Sequence, residues 1–137
     1  MTLETMIQGD RSVASRPCRP IEAPAAELRA RALRVAAVAM QHADDVDRHA
    51  RHPAEAMDSL REERLLSALV PAELGGDGAE LGEVAEVCYI LGQACASTAM
   101  IYAMHQVKIA CLVRHAGGNV WQESLQRKIA EDRKSVV

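Results

Sequence analysis

The chain has 137 residues, a length that suits one domain with a single hydrophobic core. Its composition, 49% hydrophobic and 26% charged, is that of a globular protein and excludes an intrinsically disordered one. The formal net charge of −3 argues against nucleic-acid binding, and no apolar run is long enough for a membrane span. We therefore expect a cytoplasmic protein. Because aromatic residues make up only 2% of the chain, the core must be built from aliphatic side chains, which favours helices.

The first 24 residues contain Gly9, Pro17, Pro20 and Pro24 and show no sustained apolar period, which predicts a mobile leader over residues 1–24. From residue 25 apolar side chains recur every three or four positions, which predicts an amphipathic helix that ends before Pro53. Its apolar side comprises Leu28, Ala32, Val35, Ala36, Ala39, Met40, Ala43 and Val46. Its polar side comprises Arg29, Arg34, Gln41, Asp44 and Arg48.

Four further helices are predicted after the first one. They cover residues 53–66, 81–95, 99–115 and 120–131. Leu81 should open the inward stripe of the third helix, and Trp121, Leu125 and Ile129 should face inward from the fifth. The fourth helix is apolar on almost every side, as expected of an element with several neighbours. The sequence thus predicts an all-α fold of about five helices over residues 25–131.

Local signals refine the ends of these helices and the loops between them. Ser97 or Thr98 is expected to cap the fourth helix, and Asn119 the fifth. The glycine-rich loop over residues 75–78 is not preceded by a strand or followed by Gly-Lys-Ser/Thr, so it indicates a turn between helices rather than a phosphate cradle. His105, alone on an apolar helix, is expected to be a hydrogen-bonded core residue rather than a catalytic base.

Nothing in the sequence marks a catalytic or metal-binding residue. Cys18, Cys88, Cys95 and Cys111 lack short paired spacing, and three of them lie in apolar helical runs, which predicts reduced, buried thiols rather than disulfides. The same spacing argues against a zinc site. His49 and His52 stand at a helix end, where a solvated position near the helix dipole accounts for them without a metal. The many glutamates are of the kind that surface helix faces supply, so none is assigned an acid–base role.

Three segments and one histidine, in this order, resemble the N-terminal domain of acyl-CoA dehydrogenases. They are residues 60–66 (LREERLL), 70–78 (VPAELGGDG) and 94–100 (ACASTAM), followed by His105. Each is weak alone, but together they form a fairly specific signature, and the resemblance covers residues 25–130. In that family a helical N-terminal domain precedes a β-domain and a C-terminal helical bundle, both of which are absent from this sequence.

The resemblance implies that the complete protein is an FAD-dependent enzyme that oxidises an acyl-CoA thioester at the α,β bond, and that it is a homo-oligomer. In the family the FAD and the catalytic carboxylate are held mostly by the later domains, so this piece is expected to be inactive on its own. In the family, the N-terminal domain forms part of the wall of the acyl-chain cavity. The positions implied for that wall are Met100, Ala103, Met104 and Val107.

The end of the sequence departs from the family pattern. Where the family continues into an apolar β-strand, residues 132–137 (DRKSVV) are polar and resemble the translation of a common sequencing adapter. We expect a non-native tail produced by truncation of the gene, the alternative being a genuine polar terminus.

Two alternatives for function also stay open at this point. One is a fragment of a flavin-dependent monooxygenase of the same fold, and the other is a stand-alone helical module that binds a partner protein.

Overall fold

The computed structural model describes residues 23–115 and 117–132. Over these residues the chain forms five α-helices and no β-strand, which confirms the all-α prediction. The helices are α1 (Ala23–His49), α2 (Ala54–Glu62), α3 (Leu81–Ala94), α4 (Ala96–His115) and α5 (Val120–Asp132). Two short 3-10 turns, Leu65–Ser67 and Ala72–Leu74, lie between α2 and α3. No helix in this part of the chain is both long and apolar enough to cross a membrane.

Helix α1 is the longest element, and it packs along α3 and α2. The apolar side that the sequence predicted is largely confirmed, since Leu28, Ala32, Val35, Ala39 and Val46 are all buried. Met40 is the exception, because its side chain is 63% exposed.

Helix α2 is shorter than the sequence predicted. It ends at Glu62 because Arg64 adopts a left-handed backbone conformation with φ of 57°, which an α-helix does not accommodate. The chain then tightens into the turn Leu65–Ser67, whose Leu65 and Leu66 are fully buried. Pro71 and the glycine-rich loop follow and bring the chain to α3.

Helix α3 begins with a capping box, in which the Glu80 backbone N–H donates to Glu83 Oε2 at 2.6 Å. Its buried residues are Val84, Val87, Ile90 and Leu91, which pack between α1 and α4. Leu81 was predicted to open this inward stripe, and that prediction is wrong: its side chain is exposed. The first turn of α3 extends past the core cluster that buries the later turns.

Helix α4 begins three residues earlier than predicted, at Ala96. Cys95 has extended backbone angles and separates α4 from α3, so Ser97 and Thr98 lie inside the helix and neither is its cap.

Asn119 does cap α5 as predicted, because its Oδ1 accepts the backbone N–H of Trp121 at 3.0 Å. The side chain of Trp121 is nevertheless 68% exposed, so the prediction that it faces inward is wrong.

The core of the described residues has three parts, the smallest of which is formed by Ala39, Val46, Ala56 and Cys95. The largest one joins α1, α2, α3 and the turn Leu65–Ser67 around Tyr102 of α4. The second joins α4 to α5 through Ile109, Ile129 and Ala130, with Val70 beside them. Most of the predicted leader (residues 1–24) and of the predicted tail (residues 132–137) lies outside the described residues, so those two boundaries stay predictions.

Candidate functional site

Helix α4 has a buried polar side, which is unusual for the central helix of a domain. Its buried residues are Thr98, Tyr102, His105, Gln106 and Ile109. Buried polar groups cost free energy unless they form hydrogen bonds, so a buried polar side normally has a specific structural task. Here His105 and Gln106 hold the turn Leu65–Ser67 against the helix.

His105 makes the shortest of these contacts. Its Nε2 lies 2.7 Å from the carbonyl oxygen of Leu66, and since a carbonyl only accepts, Nε2 carries the proton and donates. The ring is completely buried. Burial lowers the pKa of His105, and the nearby Lys108 ammonium lowers it further. The prediction that His105 is a hydrogen-bonded core residue is confirmed, and its neutral form fits this place.

Gln106 holds the same turn from the next position along the chain. Its amide Nε2 donates to the carbonyl oxygen of Leu65 at 2.9 Å and lies 3.4 Å from that of Leu66. Two adjacent side chains of α4 therefore bind two adjacent carbonyls of the turn. Tyr102, one turn earlier, is also completely buried, and burial raises the pKa of its hydroxyl. These contacts fix the rotation of α4 about its own axis.

The opposite side of α4 carries the four residues implied as the acyl-chain wall. Met100, Ala103, Met104 and Val107 are spaced by three, one and three positions, which places them on one stripe of a helix. Met100 is 63%, Met104 47% and Val107 55% exposed, and Ala103 is half-buried. The exposed Cys111 continues the stripe one turn further. The structure thus brings all four residues together on an open apolar face, which we call the α4 stripe.

The glycine-rich loop does not form a binding cradle. The backbone N–H groups of Gly76, Asp77, Gly78 and Ala79 all donate to backbone carbonyls of residues 67–71, at 2.8 to 3.4 Å. A phosphate cradle needs such groups to point at a ligand. The turn between helices that the sequence indicated is therefore confirmed. Gly76 is required by close packing, because a Cβ atom there would lie 2.1 Å from the carbonyl oxygen of Val70.

A shallow groove of about 410 Å³ lies beside this loop and α5. It is lined by Arg64, Glu73, Leu74, Gly75, Arg127, Ala130 and Glu131. Two arginines and two glutamates are among its lining residues, whereas sites for cofactors with large ring systems are lined mostly by apolar side chains. The groove does not fit the isoalloxazine ring of a flavin.

The described residues hold no group of three or more side chains that could ligate a metal ion. Cys88, Cys95 and Cys111 are free thiols, as predicted, although only Cys95 is buried. Cys88 is half-buried, and that burial raises the pKa of its thiol. Cys111 is exposed, so the prediction of a buried thiol is wrong there; Cys18 lies outside the described residues. His49 is exposed and bonds to Asp45 Oδ1 at 2.9 Å, in agreement with a solvated helix end.

Helix α4 thus directs buried polar side chains towards the rest of the domain and exposed apolar side chains away from it. Residues 24–132 match the family model described as acyl-CoA dehydrogenase, N-terminal domain. The match covers most of the chain, and the chain therefore belongs to the acyl-CoA dehydrogenase family. No curated protein and no solved structure gives a significant match.

Proposed function

We propose that this chain is the N-terminal helical domain of an FAD-dependent acyl-CoA dehydrogenase, a homo-oligomer when complete, in which the α4 stripe forms part of the wall of the acyl-chain cavity. One observation carries the proposal: the outward stripe of α4 is apolar and open, while the inward side of the same helix is fixed by buried hydrogen bonds. A wall of a binding cavity needs both properties, because an apolar surface binds the acyl chain and a fixed helix defines the shape of that surface.

The side chains of the α4 stripe suit an acyl chain. Burial of each methylene group contributes about 0.8 kcal/mol, so the length of apolar wall determines which chains bind well. Met100 and Met104 are unbranched and adapt to irregular neighbours, and the small Ala103 leaves space between them. A bulkier residue at Met104 would shorten the cavity.

The family's reaction converts the α,β single bond of an acyl thioester into a double bond, and bound FAD supplies the two-electron acceptor. Neither the glycine-rich loop nor the groove beside it suits that cofactor, since the loop amides are internally bonded and charged side chains line the groove. The α4 stripe is one open wall, and a single wall encloses neither substrate nor cofactor. We therefore propose that the 137-residue polypeptide alone binds no FAD and has no dehydrogenase activity.

The first experiment starts from the genomic DNA beyond the codon for Glu131. If a β-domain reading frame continues there, the complete protein is expressed and an acyl-CoA is added to it without oxygen. Bleaching of the flavin absorbance supports a dehydrogenase. Flavin that is reduced only by an added nicotinamide cofactor, and then consumes oxygen, would instead identify a monooxygenase. A locus without such a reading frame, and a polypeptide that captures one protein partner, would identify a helical interaction module.

The second experiment tests the wall itself. In the complete enzyme, Met104→Trp should raise KM for the longest accepted acyl-CoA by roughly tenfold, because loss of room for about two methylenes costs about 1.6 kcal/mol. Short acyl-CoA substrates should be unaffected. Leu81→Trp is the matched control, since Leu81 is an exposed apolar residue outside α4. Equal effects of Met104→Trp on long and short substrates would contradict the proposed wall.

A further inference from the structure

We draw no further inference here: the strongest candidate, the outward side of α1 on which Leu33 and Met40 are exposed, carries nothing because nothing in the structure shows what covers it.

Discussion

The Nε2 atom of His105 lies 2.7 Å from the carbonyl oxygen of Leu66, although 39 residues separate the two along the chain. This bond joins the inner side of the central helix to the turn between α2 and α3. Gln106 adds a second bond to the neighbouring carbonyl of Leu65. Together these bonds couple the rotation of α4, and hence the direction of the α4 stripe, to the half of the domain that precedes it.

The buried His105 should make the protein less stable below neutral pH. Its pKa is lowered in the folded state from an ordinary value of 6.5, so the unfolded chain binds the proton more tightly. Stability from this group is therefore fully present above about pH 7 and is lost as pH falls through 6.5 towards the folded pKa. The free energy of unfolding should fall by at most about 1.4 kcal/mol per pH unit in that window.

Urea unfolding at pH 8, 7, 6 and 5 measures this dependence, with His105→Gln as the comparison. The variant loses the titrating ring, so its free energy of unfolding should vary less between pH 7 and 5. Arginine partners hold the pKa values of Asp45, Glu55 and Glu63 below their usual values of 3.8 to 4.5, so the stability that these carboxylates contribute is lost mainly below about pH 5. An identical pH dependence in the variant and the wild type would contradict the assignment to His105.

Gln106→Ala should lower the free energy of unfolding by about 1–3 kcal/mol. The change removes the donor to the Leu65 carbonyl and leaves that buried acceptor without its side-chain partner. Val107→Ala is the control, since Val107 is on the same helix but exposed, and its truncation should cost well under about 1 kcal/mol. Chemical denaturation at pH 7 measures both variants. Equal losses would indicate that general helix effects, and not the bond to the turn, explain the result.

Much of this fold was predictable because helical periodicity is a local property. The buried side of α1, the cap at Asn119 and the internal turn over residues 75–78 all follow from nearby sequence. The end of α2 was not predictable, since the left-handed conformation of Arg64 is imposed on a residue with no preference for it. Likewise the partners of His105 and Gln106 lie about 40 residues away along the chain. The sequence therefore predicted His105 as a hydrogen-bonded core residue without identifying its partner, and it made no prediction for Gln106.

The errors concern which side of a helix meets a neighbour. Met40, Leu81 and Trp121 are apolar residues at helical spacing, and each was assigned to the core for that reason. Helical periodicity predicts only that one side of a helix is apolar. Whether each residue on that side is buried depends on how far the neighbouring helix extends across it. The four residues that the resemblance implied as a site, Met100, Ala103, Met104 and Val107, do share one open face of α4. Their contact with an acyl chain stays a prediction.

Trp121 offers a direct optical test of its position. It is the single tryptophan of the chain and is 68% exposed at the start of α5. Its fluorescence emission should resemble that of free indole in water, and acrylamide should quench it efficiently in the folded protein. Repeating the measurement on diluted protein controls for shielding by self-association. Emission at shorter wavelength that persists on dilution and shifts to longer wavelength on unfolding would mean that the indole is buried.

Gly76→Ala should severely destabilise the domain. A Cβ atom at Gly76 would lie 2.1 Å from the Val70 carbonyl oxygen and 2.6 Å from that of Ser67, and both are backbone atoms that cannot move without disturbing the turn. Overpacking of this kind costs several kcal/mol. Gly82 provides the matched control, because it lies in α3 with no atom within 4 Å of a Cβ position.

Gly82→Ala should therefore stabilise the protein by about 0.5–1 kcal/mol, since alanine loses less conformational entropy in a helix than glycine. The two substitutions add the same methyl group, so opposite changes in the midpoint of thermal unfolding would isolate the effect of its surroundings. If Gly76→Ala unfolds at the same temperature as the wild type, the loop does not pack against Val70 as closely as described. That packing also determines where α3 begins, and α3 in turn lies between α1 and α4, so a shift there would displace the α4 stripe relative to α1.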